Sequence, residues 1–400
     1  MRRRTCALAT LLVASAALPA QQQPPPVETP PCEVRPLRQL PLHYDGVRVL
    51  PDGRVAFRLC APSAREVAVV SFEIPGVPSG LDGKPAGLPM SLDAAGYWSA
   101  ETAVAAPSGY YAYGFRVDGV TMADPMATEF AREQRGVRST FAVRGADNAW
   151  ERYQPQVPHG LVAQIRYASR SLGIERRAHV YLPPGYERGG SRRYPVLYLV
   201  HGAFDSDAAW IAKGHANDIL DNLIAAGAVT PMIVVMPDGH TPDRPGLVRL
   251  ANDDFAADLL QDLVPYIDAR FRTQPRAAAR AMAGLSMGGA HTLYTGLPRP
   301  EVFGSIGVFS IALLTDAEIT QYRARFDRGL RARANSGGVF LLAMGRDDGI
   351  HGLLAGTRRI FDDYGIRYEY LETDGGHDWR NWRDYLRAFA PQLFRGAARQ

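Results

Sequence analysis

The sequence predicts an α/β domain built on a parallel sheet, preceded by an immunoglobulin-like antiparallel β-sandwich. Three observations carry this expectation. Short alternating apolar and polar runs separated by turn residues fill the first third of the chain. From residue 160 onward, continuous apolar runs of strand length alternate with helical periodicity, the pattern of strands buried on both faces and joined by crossover helices. The length of 400 residues suits two domains better than one oversized core. With 46% hydrophobic and 22% charged residues the composition is ordinary for a globular protein, which excludes a wholly disordered, collagen-like or coiled-coil chain.

The N-terminus reads as export machinery. Arg2, Arg3 and Arg4 precede an apolar run from Cys6 to Ala20, the charge and hydrophobic regions of a signal peptide over residues 1–20, so a secreted or periplasmic bacterial protein is expected. A spanning helix needs ~20 apolar residues, so no membrane anchor is expected. The 45 basic residues less these three arginines leave 42 against 41 acidic ones, and this balance gives no reason to expect nucleic acid or an anionic membrane as partner. Residues 21–36, opening QQQPPPVETPP, form a Pro/Gln-rich linker that cannot pack a core. Beyond Cys6 there remain Cys32 and Cys60, which either pair in an oxidising compartment or stand as an exposed and a buried free thiol. Neither they nor the singly scattered histidines have metal-ligand spacing, so no metal and no cofactor are expected.

The sandwich is expected over residues 37–146. Its strands read Val47–Val49, Val55–Leu59 after the turn Pro51-Asp52-Gly53, Glu66–Phe72, Tyr97–Glu101, Tyr110–Val117 and, past Asp118-Gly119, Val120. That makes about seven strands in about 110 residues. Tyr97 and Trp98 are neighbours in a strand and point to opposite faces, which suits core and interface roles better than a sugar-stacking platform. The runs Arg54–Pro62, Gly96–Trp98 and Tyr113–Gly119 resemble the early-set sandwich modules related to the CBM48 carbohydrate-binding family, a resemblance that implies docking or substrate shaping first and glycan binding second.

After a connector at Asp147–Gly160, the α/β domain is expected over residues 160–397. Its strands read Tyr194–Val200, Met232–Met236, Arg280–Ala283, Phe303–Phe309, Val339–Met344 and Tyr368–Glu372, with Phe255, Leu259, Leu263, Val264 and Ile267 sharing one helix face. Gly284-Leu285-Ser286-Met287-Gly288 lies between a strand and the helix expected at Gly289–Leu297. The bare G-x-S-x-G pattern arises by chance roughly 0.2 times in such a chain, so the strand-to-helix context carries the inference. Such an elbow lifts a serine hydroxyl out of the sheet and aims a helix N-terminus at the same place.

A serine nucleophile needs a base and an acid, which follow it in the order Ser, acid, His. His377 sits in a Gly-rich loop past the strand Tyr368–Glu372 and is preferred over His351 and the helical His291. The strand Val339–Met344 ends near Asp347 and Asp348, and Asp348 is preferred as the group that orients His377; Asp374 and Asp378 read as loop-capping groups. The oxyanion donors are expected to be the backbone N–H groups of Met287 and of Ala203, with Phe204 the alternative to Ala203.

The segments Val180–Tyr186, Tyr194–Gly202, Asp221–Ala225, Pro231–His240, the GLSMGG elbow and GGHDWRNW at 375–382 together resemble the esterase-D-like α/β-hydrolases, which include the feruloyl and acetyl-xylan esterases of carbohydrate esterase family 1, enterochelin esterases and mycolyltransferases. The resemblance implies an α/β-hydrolase fold, the triad Ser286, Asp348 and His377, and a cofactor-free acyl-enzyme mechanism. It also implies that Asp207, Trp210, His215, His240 and Trp379 line or support the acyl pocket, and that of Trp379 and Trp382 one lies in the site and one in the core. With a sandwich in front, the implied substrate is a feruloyl or acetyl ester of a plant polysaccharide such as xylan. A siderophore ester and acyl transfer to a sugar are the alternatives.

Overall fold

The computed structural model describes residues 32–33, 43–80, 86–242 and 253–395. The signal peptide and nearly all of the linker expected from the sequence lie outside the described residues.

The N-terminal part is a β-sandwich of two antiparallel sheets. One orders its strands Val47–Val49, Val55–Cys60, Tyr97–Glu101 and Ser91–Leu92; the other runs Leu88–Pro89, Val67–Val70, Gly109–Val117, Val137–Val143 and Phe130–Arg132, with Val120–Met122 paired to Gly109–Val117. Val55, Phe57 and Leu59 alternate inward to meet Val67, Val69, Tyr113 and Phe115 in a core between the sheets. The hairpin of Phe130–Arg132 and Val137–Val143 is weakly patterned and is not expected from the sequence. Cys32 and Cys60 are joined by a disulfide that closes a separation of 28 residues. Tyr44 and Tyr97 pack beside it.

The second part is an eight-stranded sheet. Its strands are β1 (Leu161–Ser169), β2 (Ile174–Leu182), β3 (Val196–Val200), β4 (Ile233–Pro237), β5 (Arg280–Leu285), β6 (Ser305–Phe309), β7 (Phe340–Gly345) and β8 (Glu369–Thr373), in spatial order β1-β2-β4-β3-β5-β6-β7-β8. Strands β3 to β8 are mutually parallel, whereas β1 and β2 form an antiparallel edge hairpin. That edge escapes a reading based on continuous apolar runs because β1 is half exposed along its length. The central strands are buried throughout, and two apolar clusters cover the two faces of the sheet. The helical segment after β5 is α-helical over Met287–His291 and then widens into a π-turn at Thr292–Gly296. The strand expected from Phe303 begins at Ser305.

The order of strands reverses at β3, which has β4 on one side and β5 on the other. The loops leaving the carboxyl ends of β3 and β5 therefore diverge to opposite faces and leave a crevice between them. Among the described residues no helix is long and apolar enough to cross a membrane.

Closing a loop of this length by a disulfide removes conformational freedom from the unfolded chain, worth about 2–4 kcal/mol. The Cys32→Ser, Cys60→Ser double variant is expected to lose about that much unfolding free energy, measured by urea denaturation followed in the sandwich's aromatic fluorescence.

Candidate functional site

The elbow after β5 is set by close backbone approach. Ser286 holds φ 50° and ψ −116°, a costly conformation for a residue with a Cβ. It is held there from both sides: its N–H donates to the Phe309 carbonyl at 2.9 Å, and its carbonyl accepts from the Ala290 N–H at 2.9 Å. A Cβ on Gly288 would stand 2.3 Å from the Val200 carbonyl oxygen, and one on Gly284 would stand 2.3 Å from the Gly288 carbonyl oxygen. Only glycine fits at either flank, which is the physical content of the motif. Met287 begins the following helix, so its N–H has no intrahelical acceptor.

The loop after β3 passes over the serine. A Cβ on Gly202 would lie 3.4 Å from the Ser286 Cβ, so this loop passes close to the elbow. Ala203 is exposed, and Phe204 adopts φ 68°.

His377 lies between β8 and the helix Trp379–Phe389, and its Nδ1 is 2.8 Å from Asp348 Oδ2. Asp347, the neighbouring carboxylate, is exposed, whereas Asp348 is 5% exposed. The histidine loop is built by backbone contacts: the Asp347 N–H donates to Gly375 O at 3.0 Å, Asn381 Nδ2 donates to Gly376 O at 2.9 Å, and Asp378 caps the helix by accepting from the Asn381 N–H at 3.0 Å. Burial acts to raise the Asp348 carboxyl, but hydrogen bonds from His377, the Ile350 N–H and Ser310, with the charge of His377, outweigh it and hold the carboxyl below its ordinary range.

Two partners of this pair carry no motif. Ser310, at φ 51°, directly follows β6 and hydrogen-bonds Asp348; its Oγ also accepts from Trp382 Nε1 at 2.9 Å. The Trp382 ring meets His377 edge-on at 5.1 Å. A buried serine at the carboxyl end of a central parallel strand, where such sheets place their sites, is the signal that could have found Ser310.

The remaining expected residues fall into different places. Trp379 packs edge-on against Trp210 at 5.1 Å and both are buried, so Trp379 belongs to the core behind the site and Trp382 is the tryptophan against the histidine. Trp379 also meets Trp382 edge-on at 5.2 Å and so backs the ring that lies against His377. Asp207 is buried between Arg177 at 2.8 Å and His179 at 3.0 Å, which places it under the loop in a supporting position. His215 stacks on Tyr110 of the sandwich with ring centroids 3.4 Å apart. His240 lies 5.3 Å from the His201 ring, and burial holds its imidazole below the ordinary value. His351 pairs with Glu372, Asp374 with Arg346, and His291 stacks on Phe255, where burial pushes its imidazole down to about 3.

His159, Asp218 and Asp221 offer three ligand atoms within 4.8 Å of one another. Protein donors already occupy Asp221, whose Oδ1 accepts from Tyr181 Oη at 2.6 Å and the Gly160 N–H at 2.9 Å, so the cluster fits a role in holding the connector to the helix Ala216–Ala225.

The depressed Asp348 carboxyl gives a stability signature. A group that releases its proton more readily when folded stabilises the fold above the ordinary carboxylate range of about pH 4, and this contribution is lost as pH falls through the lower native value. The stability difference between the wild-type chain and Asp348→Asn is expected to shrink between pH 6 and pH 3, as read by urea denaturation at both values.

Residues 169–393 match the family model Esterase, described as "Putative esterase". An endo-1,4-beta-xylanase/feruloyl esterase of Xylanibacter ruminicola is 32% identical over 352 residues, covering 86% of this chain and 45% of its own length. The chain thus spans less than half of that curated relative. Among solved structures, the ferulic acid esterase of Anaeromyces mucronatus in complex with ferulic acid superposes with a TM-score of 0.53 at 23% identity, over 62% of this chain and 95% of that one. The enterochelin esterase of Shigella flexneri does so with 0.64 at 19% identity, over 88% and 95%. The family match covers more than half of the chain and coincides with the sheet, the elbow and the histidine loop: this protein belongs to the esterase family with the α/β-hydrolase fold.

Proposed function

We propose that the chain is a secreted serine esterase that releases feruloyl or acetyl groups from plant cell-wall polysaccharide such as xylan, with Ser286, His377 and Asp348 as its catalytic triad. The observation that carries the reading is the Asp348–His377 pair at the same sheet edge as a strained serine elbow. With Nδ1 directed to Asp348, the His377 ring leaves Nε2 to receive the Ser286 proton as Oγ attacks the ester carbonyl. The N–H groups of Met287 and Ala203 hold the oxyanion. Collapse of the tetrahedral adduct breaks the ester C–O bond, the leaving sugar hydroxyl takes the proton from Nε2, and water then cleaves the acyl-enzyme by the same path. Asp348 stays ionised and orients the imidazolium. No cofactor enters these steps.

The polysaccharide substrate is supported by the likeness to the Xylanibacter ruminicola relative, which extends over sandwich and sheet alike. One observation favours a second reading: the Shigella flexneri enterochelin esterase superposes over 88% of the chain, sandwich included. Cleavage of a catecholate siderophore triester is therefore the alternative substrate for the same triad.

The two readings separate when the purified protein is offered methyl ferulate, acetylated xylan and a catecholate siderophore triester side by side. Release of ferulate or acetate in preference is expected, and preferred cleavage of the triester would replace the substrate while keeping the mechanism. Ser286→Ala is expected to lower kcat by about 10⁴-fold or more, and Asp348→Asn by about 10³–10⁴-fold, with the far-ultraviolet circular dichroism unchanged.

A further inference from the structure

The loop that runs over Ser286 is not held by its own domain alone. Residues 204, 205 and 206 are each tied to the sandwich hairpin that joins Phe130–Arg132 to Val137–Val143. The Gln134 N–H donates to the Phe204 carbonyl at 2.7 Å, and Ser206 Oγ donates to the Arg132 carbonyl at 2.8 Å. Between them, Lys213 Nζ bridges Glu133 Oε1 at 3.0 Å and Asp205 Oδ1 at 2.8 Å.

Lys213 is only 7% exposed. Of the 45 basic residues in the chain only Lys84 and Lys213 are lysines, so this buried cation departs from the arginine bias of the sequence. Its compact ammonium meets both carboxylates through a single nitrogen, as a point charge. Its own carbonyl accepts from Arg383 Nη1 at 3.0 Å, which ties the cluster to the helix that follows His377. Burial acts to lower the ammonium, but Asp205 and Glu133 outweigh it and keep it charged.

The loop needs such support. His201 Nδ1, 2.7 Å from the Gly202 carbonyl, holds one side of the peptide that carries the Ala203 N–H, but Phe204, one residue on, sits at φ 68° with 70% of its surface exposed, so neighbouring contacts rather than its own packing must hold the loop there. An oxyanion donor acts only when its N–H is preorganised toward the place where charge develops.

We propose that the sandwich hairpin Arg132–Gln134, acting through Lys213, is a positioning element that sets the Ala203 N–H over Ser286, so that the sandwich forms part of the oxyanion hole's supporting frame. This rests on the esterase reading above. Among the described residues, Lys213 and Glu133 pair with Asp205, Arg138 and each other, not with Ser286 or His377; they act through residues 204–206. Loss of this support weakens stabilisation of the tetrahedral adduct and leaves binding of the ester in its ground state largely intact.

The test uses the full chain with methyl ferulate, and with phenylboronic acid as a probe that forms a tetrahedral adduct on the serine. Lys213→Met and Glu133→Gln are compared with Gln134→Pro, which deletes the hairpin's N–H donor at an exposed position without leaving a buried charge. Expected in each folded variant is a fall in kcat of about 10-fold to 100-fold with KM changed less than about 3-fold, and a parallel loss of affinity for the boronate. Glu133→Asp is expected to recover part of the loss. Should Lys213→Met fail to fold, the two hairpin variants carry the same comparison. Folded variants with unchanged kcat and boronate affinity would overturn the proposal, as would a lowered melting temperature with no selective change in kcat. A wild-type chain that hydrolyses none of the esters would instead overturn the esterase reading.

Discussion

Everything at the carboxyl edge of the sheet depends on one steric constraint: the backbone after β5 must turn within van der Waals reach of the end of β3. Gly288 lies against the carbonyls of Val200 and His201, and Gly284 lies against Gly288 itself. With both flanks filled by backbone, the intervening serine has nowhere to go except outward, in a conformation its Cβ disfavours. The hydrogen bond from its N–H to Phe309 then ties that strain to β6, and the register of β6 against β7 sets how far Asp348 stands from the serine. The strain is local, but the parts that over-determine it come from three neighbouring strands.

Asp348 and His377 are held by a second set of contacts. Ser310 receives the Trp382 N–H and bonds Asp348, so one small hydroxyl couples the end of β6, the loop after β7 and the helix after His377. A buried carboxylate beside an imidazole needs its remaining lone pairs satisfied, and the Ile350 N–H and Ser310 do this. The Trp382 ring packs at right angles to the imidazole, with centroids 5.1 Å apart.

What was legible in the sequence is what local chemistry dictates. Gly284, Ser286 and Gly288 announce an elbow because no other spacing of those residues between a strand and a helix serves the same turn, and His377 stands in a loop rich in glycine and capped by Asp378. Asp348 and Asp347 differ by one position at a strand end, and only the fold shows which carboxylate is buried against the ring. Trp379 and Trp382 differ by three positions on a helix, and which of them meets the histidine depends on how that helix rolls onto the sheet. The β1–β2 hairpin was hidden because an exposed antiparallel edge lacks the apolar run that marks the other strands. Lys213 and Glu133 are 80 residues apart, and no periodicity links them.

The pairing of Arg383 with Glu151 has a consequence for how the molecule is made. Arg383 is 1% exposed, its Nε is 2.6 Å from Glu151 Oε2, and the two residues are separated by 232 positions. A ribosome that has finished the sandwich and the first strands of the sheet has therefore produced a carboxylate whose countercharge is still to be synthesised. The sandwich can form its own core early, but burying Glu151 before the helix Trp379–Phe389 has been made is costly. Closing the connector at Glu151 onto the sheet in this sense waits for the helix that carries Arg383. Removing either member of the pair leaves the other as an uncompensated buried charge, so the connector and this helix have to be kept together for either to stay buried.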